Sequence, residues 1–281
     1  MYKVGVLGAG TMGAEIAQIC AWSGLPVVLK DLNQELVEKG VARARSIFQG
    51  RVDKGKMSVE QMEQAMSNIT PVTTYDEFKD VDVVIEVVKE DMAVKKAVLK
   101  ELDAICQPSC IFASNTSALS ISEMAAATSR PSKVVGMHFF FPAHVMKLVE
   151  VIPGLDTSED TVQTIVELSE RLRKIPIKVK EIPAFLVNRI LIPQLNEAIA
   201  CLDENVASAR DIDIAMQAGA GMPMGPFTLA DNLGLDVCLA VMEYMYKEYA
   251  DAKYAPHPLL KKMVRAGRLG VKSGKGFYEY S

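Results

Sequence analysis

The sequence predicts an α/β fold: a doubly wound, mostly parallel sheet over 1–182, followed by an all-α domain over 183–281. Three observations carry this expectation. Short apolar runs of strand type alternate with helix-period segments as far as Val179, a glycine-rich turn joins the first strand to the first helix, and beyond Pro183 only helix-period segments remain.

The elements follow in chain order. Tyr2–Leu7 reads as a buried strand, Thr11–Ser23 as a helix and Pro26–Lys30 as a second strand, together one βαβ unit. Gln34–Gly50 is helical by spacing, and Ser58–Ser67 carries a Ser N-cap backed by Glu60 and Gln61. A basic turn with Arg51, Lys54 and Lys56 lies between these helices. Strands at Ile69–Thr73 and Val81–Val87 precede a helix at Met92–Ile105, a strand at Ile111–Ser114 and a short helix at Ser120–Ala127. Lys133–His138 and Leu148–Ile152 read as strands, Glu159–Leu172 as a helix and Pro176–Val179 as the last strand. The later apolar segments, Ala184–Leu202, Ile212–Ala218 and Leu235–Tyr249, keep a helical period. The first is apolar nearly all round, so it belongs in a core or a subunit interface, and a homodimer through the C-terminal helices is the economical expectation.

A chain of 281 residues with 49% hydrophobic and 23% charged content is of the soluble globular kind, with one or two domains. The net charge of -4 argues against nucleic acid as a partner, which needs a basic domain or stripe. No membrane span is expected, because no apolar run approaches ~18 residues, and the N-terminus enters a strand pattern without a signal-peptide profile. Five cysteines in no paired spacing point to a reducing, cytoplasmic location. With three histidines, no H-E-x-x-H and no cysteine-pair ligand set, no metal is expected. A small molecule is the implied partner.

Gly8-Ala9-Gly10-Thr11-Met12-Gly13 directly follows the first strand and opens the first helix, the Rossmann-type setting in which a G-x-G-x-x-G turn binds a dinucleotide. The helix N-terminus supplies N–H donors and a positive dipole end for a pyrophosphate. Asp31, after the second strand, is placed to accept hydrogen bonds from a ribose 2′-hydroxyl, which favours NAD, with NADP left open by Lys30 beside it. The cofactor-facing set is Gly8, Gly10, Thr11, Met12, Gly13, Asp31, Glu90 and Asn115. No Gly-Lys-Ser/Thr follows the glycines, which excludes a P-loop.

His138 and Glu150 stand twelve residues apart in otherwise apolar sequence. An imidazole with a buried carboxylate in reach is a proton-transfer device, because the carboxylate fixes the tautomer and supports the protonated ring. The plainer reading is a satisfied core histidine, but a carboxylate in Leu148-Val149-Glu150-Val151-Ile152 is costly to bury without a partner. Ser117, in Asn115-Thr116-Ser117 at a strand end, reads equally as a ligand contact or as the N-cap of the next helix. Asn188, the first polar residue of the apolar helix, is either a core hydrogen-bonder or a ligand contact. Arg51, Lys54 and Lys56 are either a solvated turn or a phosphate site.

Taken together with Ala113-Ser114-Asn115-Thr116-Ser117, Met137-His138-Phe139-Phe140, Met146-Lys147-Leu148-Val149-Glu150, Val187-Asn188-Arg189-Ile190, Pro223-Met224-Gly225-Pro226 and Lys272-Ser273-Gly274-Lys275-Gly276-Phe277-Tyr278, the glycine motif makes the chain resemble the L-3-hydroxyacyl-CoA dehydrogenases, in particular the short bacterial 3-hydroxybutyryl-CoA dehydrogenases, over essentially its whole length. The resemblance implies an NAD-dependent oxidoreductase acting on C3 of a short-chain 3-hydroxyacyl-CoA. It implies His138 as general base, Glu150 as its support, and Ser117 and Asn188 as substrate hydrogen-bonders, all four counted as catalytic. It places Arg51, Lys54 and Lys56 where the CoA phosphates are met. This chain departs from the family pattern at Phe141, where Asn is usual, at His144, where close relatives have Pro, at Ala184, where Gly is common, and at Lys89, where an apolar residue is common. Phe141 and His144 put the acyl group in question, so a carrier-protein-bound or functionalised hydroxyacyl thioester is the second reading. A non-catalytic structural or nucleotide-binding relative is the third.

Overall fold

In the computed structural model, which describes residues 2–280, eight strands form one sheet in the order β3-β2-β1-β4-β5-β6-β7-β8. Met1 and Ser281, the outer limits of the two expected domains, lie outside the described residues. The strands are β1 Val4–Leu7, β2 Val27–Lys30, β3 Ile69–Val72, β4 Val83–Glu86, β5 Ile111–Ser114, β6 Val134–Phe139, β7 Leu148–Pro153 and β8 Ile175–Lys178. All neighbours pair in parallel except β6 with β7. Every residue of β1, β2, β4 and β5 is buried, as parallel strands covered on both faces require. The covering helices are α1 Thr11–Trp22, α2 Gln34–Val52, α3 Val59–Met66, α4 Met92–Ile105, α5 Ile121–Ala125 and α6 Glu159–Arg171. The Rossmann-type sheet and the all-helical remainder are thus both present.

Strand order reverses beside β1, because the chain runs β1-β2-β3 to one side and then crosses to β4 on the other. Ligands of open α/β sheets bind outside the carboxyl ends of the strands at such a switch point. Gly8, Glu86 and Ser114 all stand at that edge, in ladder positions Leu7↔Glu86 and Glu86↔Ser114.

The chain divides into two compact units, Met1–Glu181 and Ile182–Ser281. The second contains α7 Val187–Asp203, α8 Ala209–Ala220, α9 Pro226–Leu233, α10 Leu235–Tyr249 and α11 Pro258–Arg265. Helix α7 starts three residues later than its apolar pattern suggests. Ala184 and Phe185 take left-handed φ values of 65° and 55°, which a right-handed helix does not accept, and both side chains are buried. Nor is α7 buried all round: Ile192, Leu195 and Ile199 enter the core, whereas Ile190 is 63% exposed. Helices α9 and α11 escape the periodicity reading because each has only eight residues and begins with a proline, which reads as a turn although it suits the first helical position.

Two buried aspartates order the C-terminal motif. Asp231 accepts N–H bonds from Phe277 at 3.0 Å and Tyr278 at 3.0 Å, and the Tyr280 hydroxyl donates to it at 2.9 Å. Asp213 accepts from Phe227 N–H at 2.8 Å, from the Thr228 hydroxyl at 2.6 Å and from the Tyr278 hydroxyl at 2.9 Å. Burial and the Asp213 carboxylate push the Tyr278 phenol up, so it stays a donor. A Cβ at Gly276 would collide with the Asp231 carboxylate, which explains the glycine between Lys275 and Phe277. Asp231→Ala leaves three donors without their acceptor, and a loss of about 3 kcal/mol or more in unfolding free energy is expected. Guanidinium melts read by far-UV circular dichroism check this, with Asp203→Ala, at an exposed position, as the neutral control.

Candidate functional site

The glycine turn is shaped by backbone, not side chains. Gly8 has φ 105°, and an added Cβ would lie 2.6 Å from Val87 O; a Cβ at Gly13 would collide with Gly8 O. Around Gly10, in contrast, nothing lies within 4 Å of that position, so a ligand can approach the backbone. Gly10 is the N-cap of α1 and brings no side-chain cap, which leaves the first-turn donors of Thr11, Met12 and Gly13 to face an anion. Asp31 closes the turn: its Oδ2 accepts Ala9 N–H at 2.6 Å and its Oδ1 accepts Leu32 N–H at 2.7 Å.

Lys30 ends β2 beside Leu7, but its side chain is packed away. Its side chain is buried with Nζ 4.1 Å from the centre of the Tyr75 ring, and burial pushes its pKa down. A cation held under an aromatic ring is not available to a 2′-phosphate. Reduction assays with both cofactors are therefore expected to show NADH preferred over NADPH by a factor of about ten or more, a difference of ~1.4 kcal/mol. Asp31→Ala should narrow the ratio.

At the ends of β4 and β5, polar side chains converge. Glu90 Oε1 accepts the Thr116 hydroxyl at 2.6 Å, Ser117 N–H at 2.9 Å and the Ser117 hydroxyl at 3.3 Å. The N-cap of α5 is Ser120, whose Oγ accepts Glu123 N–H at 3.1 Å, so the capping alternative for Ser117 is taken by its neighbour. Asn115 Oδ1 accepts Phe139 N–H at 2.8 Å and ties the end of β5 to the end of β6. Glu86 and Lys95, which the sequence reading passed over, are buried here as an ion pair with Nζ–Oε1 at 2.8 Å. The available signal was Lys95 at an apolar-face position of α4, three residues after Met92 and four before Leu99.

His138 and Glu150 meet because β6 and β7 are antiparallel and pair them directly. Opposed residues in such a ladder project to one face with Cβ atoms about 5 Å apart. His138 Nδ1 lies 2.8 Å from Glu150 Oε2; the histidine is 5% exposed and the glutamate 0%. A carboxylate can only accept, so Nδ1 carries the proton and Nε2 presents the lone pair. The linking loop is fastened by Lys174, whose Nζ donates to Ala143 O at 2.6 Å and Met146 O at 2.8 Å. His144 Nδ1 is 3.1 Å from buried Glu15 Oε2, and Phe141 is 53% exposed.

Arg51, Lys54 and Lys56 line a cleft of about 730 Å³. His144, Lys147, Arg173 and Lys174 line it too, as do Trp22, Ile19 and Leu172. Guanidinium groups of Arg51 and Arg173 lie 4.5 Å and 5.7 Å from the Trp22 ring centre. Among the described residues, no carboxylate side chain lines this cleft. Asn188, in the first turn of α7, belongs to the second unit.

The family model for the NAD binding domain of 3-hydroxyacyl-CoA dehydrogenase matches residues 3–182, and that for the C-terminal domain matches residues 185–280. The chain belongs to the 3-hydroxyacyl-CoA dehydrogenase family. A 3-hydroxybutyryl-CoA dehydrogenase of Clostridioides difficile is 48% identical over 279 residues, spanning 99% of this chain and 99% of that protein. A probable 3-hydroxybutyryl-CoA dehydrogenase of Bacillus subtilis is 46% identical, spanning 99% of this chain and 97% of that protein. The crystal structure of (S)-3-hydroxybutyryl-CoA dehydrogenase PaaH1 from Ralstonia eutropha matches with a TM-score of 0.97 at 47% identity, covering 100% of this chain and 99% of that one. Like its family, this 3-hydroxyacyl-CoA dehydrogenase uses NAD, and the open backbone at Gly10 and the carboxylate of Asp31 fit that cofactor. Among the described residues, no helix of this dehydrogenase is long and apolar enough to cross a membrane.

Proposed function

We propose that the protein interconverts a short-chain 3-hydroxyacyl-CoA and its 3-oxoacyl-CoA, with 3-hydroxybutyryl-CoA and acetoacetyl-CoA as the pair. The observation that carries this reading is the buried His138–Glu150 contact of 2.8 Å at the end of β6. Bound NAD supplies a nicotinamide that accepts hydride from C3 in oxidation and returns it in reduction. His138 Nε2 takes the 3-hydroxyl proton as the carbonyl forms, and the Glu150 carboxylate holds the imidazolium that results. In reduction the imidazolium gives the proton back. Ser117 and Asn188 are assigned hydrogen bonds to the substrate around the reacting carbon and thioester. Gly8, Gly10, Thr11, Met12, Gly13, Asp31, Glu90 and Asn115 are assigned to the cofactor.

The thioester is assigned to CoA because of the cationic cleft. CoA carries a pyrophosphate and a 3′-phosphate, and a cleft lined by several cations, with no carboxylate side chain among its described lining residues, suits that charge. To Arg51, Lys54 and Lys56 the reading adds Lys147 and Arg173, which line the same cleft. A carrier-protein thioester keeps one phosphodiester but lacks the adenosine 3′-phosphate, so it leaves part of this cationic lining without a counterpart. The test is NADH consumption with acetoacetyl-CoA, the same acyl group on carrier protein, and free CoA as competitor. Activity on the carrier-protein form that free CoA does not inhibit would overturn the assignment.

We also assign the chain to a cytoplasmic homodimer, with 183–281 as the substrate and dimerisation domain. The five described cysteines are free, and Ile190, Ile214 and Val237 expose apolar side chains on α7, α8 and α10. Light scattering after gel filtration checks the dimer.

A further inference from the structure

Beside the cationic cleft lies a buried carboxylate that the proposed mechanism leaves unused. Glu15, on α1, is 0% exposed. Its Oε1 accepts from the Arg43 guanidinium of α2 at 2.5 Å, whereas Oε2 receives no aligned hydrogen bond among the described residues and has His144 Nδ1 at 3.1 Å. A lone pair on Nδ1 would be repelled at that distance, so Nδ1 carries the proton and the neutral ring keeps its lone pair on Nε2. The same ring lines the cleft, with its side chain 31% exposed. An ionised phosphate oxygen also only accepts. Facing Nε2, it is repelled by the neutral ring and bonded by the imidazolium, whose Nε2–H is a charged donor.

We propose that His144 is a specificity-determining residue that admits the CoA phosphates by taking up a proton, with Glu15 as the positioning residue that seats the ring and supports its charge. This rests on the reading of the cleft as a CoA site. The surrounding charges fix the sign. Glu15 favours the added proton. Lys147 of the same loop, Arg173 and Lys174 after α6, and Arg51, Lys54 and Lys56 at the end of α2 and beyond it oppose the proton. Arg43 is bound to the other Glu15 oxygen, and Lys174 is tied to Ala143 O and Met146 O. Cys20, further along α1, is a neutral thiol, pushed up to about 12 by burial. A polyphosphate among these cations cancels their repulsion, and the balance at the ring shifts toward the proton. Because the complex then binds more protons than the free enzyme, CoA affinity rises as pH falls through the range in which an imidazole titrates.

The test is calorimetry of free CoA binding to the full-length enzyme saturated with NAD, which keeps the CoA adenosine out of the nucleotide site. Repeating it in buffers of different ionisation enthalpy counts the protons exchanged. The wild type is expected to take up more protons per CoA than His144→Gln, by up to about one, and its affinity advantage should grow about three- to tenfold from pH 8 to pH 6. The CoA phosphates and His138 titrate in both enzymes and cancel in the comparison. Glu15→Gln keeps the ring but removes the counter-charge, so its uptake should also fall below that of the wild type. Wild-type uptake in Glu15→Gln would refute the role of Glu15; should that variant fold poorly, His144→Gln, at a partly exposed position, still decides the main point. Equal uptake by wild type and His144→Gln overturns the inference. The CoA reading survives that result if Lys54→Glu with Lys56→Glu weakens CoA binding. If that pair leaves CoA affinity unchanged, the cleft is not the CoA site and both readings fall.

Discussion

His138→Ala is expected to lower kcat for acetoacetyl-CoA reduction by about 10²–10⁴-fold, the range of general acid–base catalysis, while leaving NADH affinity unchanged. The reasoning starts from the register. His138 and Glu150 oppose each other in the β6–β7 ladder, so the imidazole orientation is set by the sheet and by its bond to Oε2. Alanine removes the imidazole that takes and returns the proton, and it leaves the Gly8–Gly13 turn after β1 untouched. The loss should therefore fall on kcat and kcat/KM together, the signature of an interaction made in the transition state. Glu150→Gln should produce a smaller loss of the same kind. The amide keeps the size and one acceptor oxygen but removes the negative charge that stabilises the imidazolium. Steady-state kinetics with fluorescence titration of NADH checks both variants. A His138→Ala enzyme of near-normal turnover would refute the mechanism, and weakened NADH binding in step with kcat would show a cofactor role instead.

The parts of this site differ in how far the sequence discloses them. The nucleotide turn is local: strand, glycines and helix are contiguous, and Gly13 answers to the carbonyl of Gly8 within the motif itself. Asp31 is one strand further and equally legible. The His138–Glu150 contact is not local in the same sense. Apolar context makes a partner for Glu150 necessary, but only antiparallel pairing of β6 with β7 makes that partner His138, and a shift of one residue would send the two side chains to opposite faces. Lys95 lies further out of reach. A lysine in a helix reads as a solvated residue, and its burial depends on Glu86 standing at the end of the neighbouring strand. Likewise Arg173 follows α6 in a charged stretch, and nothing in its surroundings indicates that it shares the Trp22 ring with Arg51. The short proline-led helices α9 and α11 are illegible for another reason: eight residues give too few periods to tell a helix from a turn.

Reversing the charge of the basic turn, with Lys54→Glu and Lys56→Glu together, is expected to raise KM for acetoacetyl-CoA by about 10²-fold, since each charge-assisted bond to a phosphate contributes ~1.5 kcal/mol or more. At saturation kcat should change little. The turn would hold the substrate equally in ground and transition state, and such uniform binding affects KM alone. Truncating the substrate supplies the decisive contrast. Acetoacetyl-pantetheine carries the same reacting carbon and thioester but none of the CoA phosphates, so wild type and double variant should treat it alike. The wild-type advantage for the CoA substrate should also shrink as salt is raised, because Lys54 and Lys56 are exposed and a Debye length of about 8 Å at physiological ionic strength screens them. Trp22, with both guanidinium groups near its ring, should bring Arg173 into the same effect, so that Arg173→Glu raises KM for the CoA substrate without touching the pantetheine one. Equal losses on both substrates would mean that these residues support the fold of the α2–α3 turn, and the cleft would lose its claim on CoA. A selective loss makes phosphate recognition the means by which an exposed cleft accepts CoA, with the chemistry left to the histidine at the end of β6.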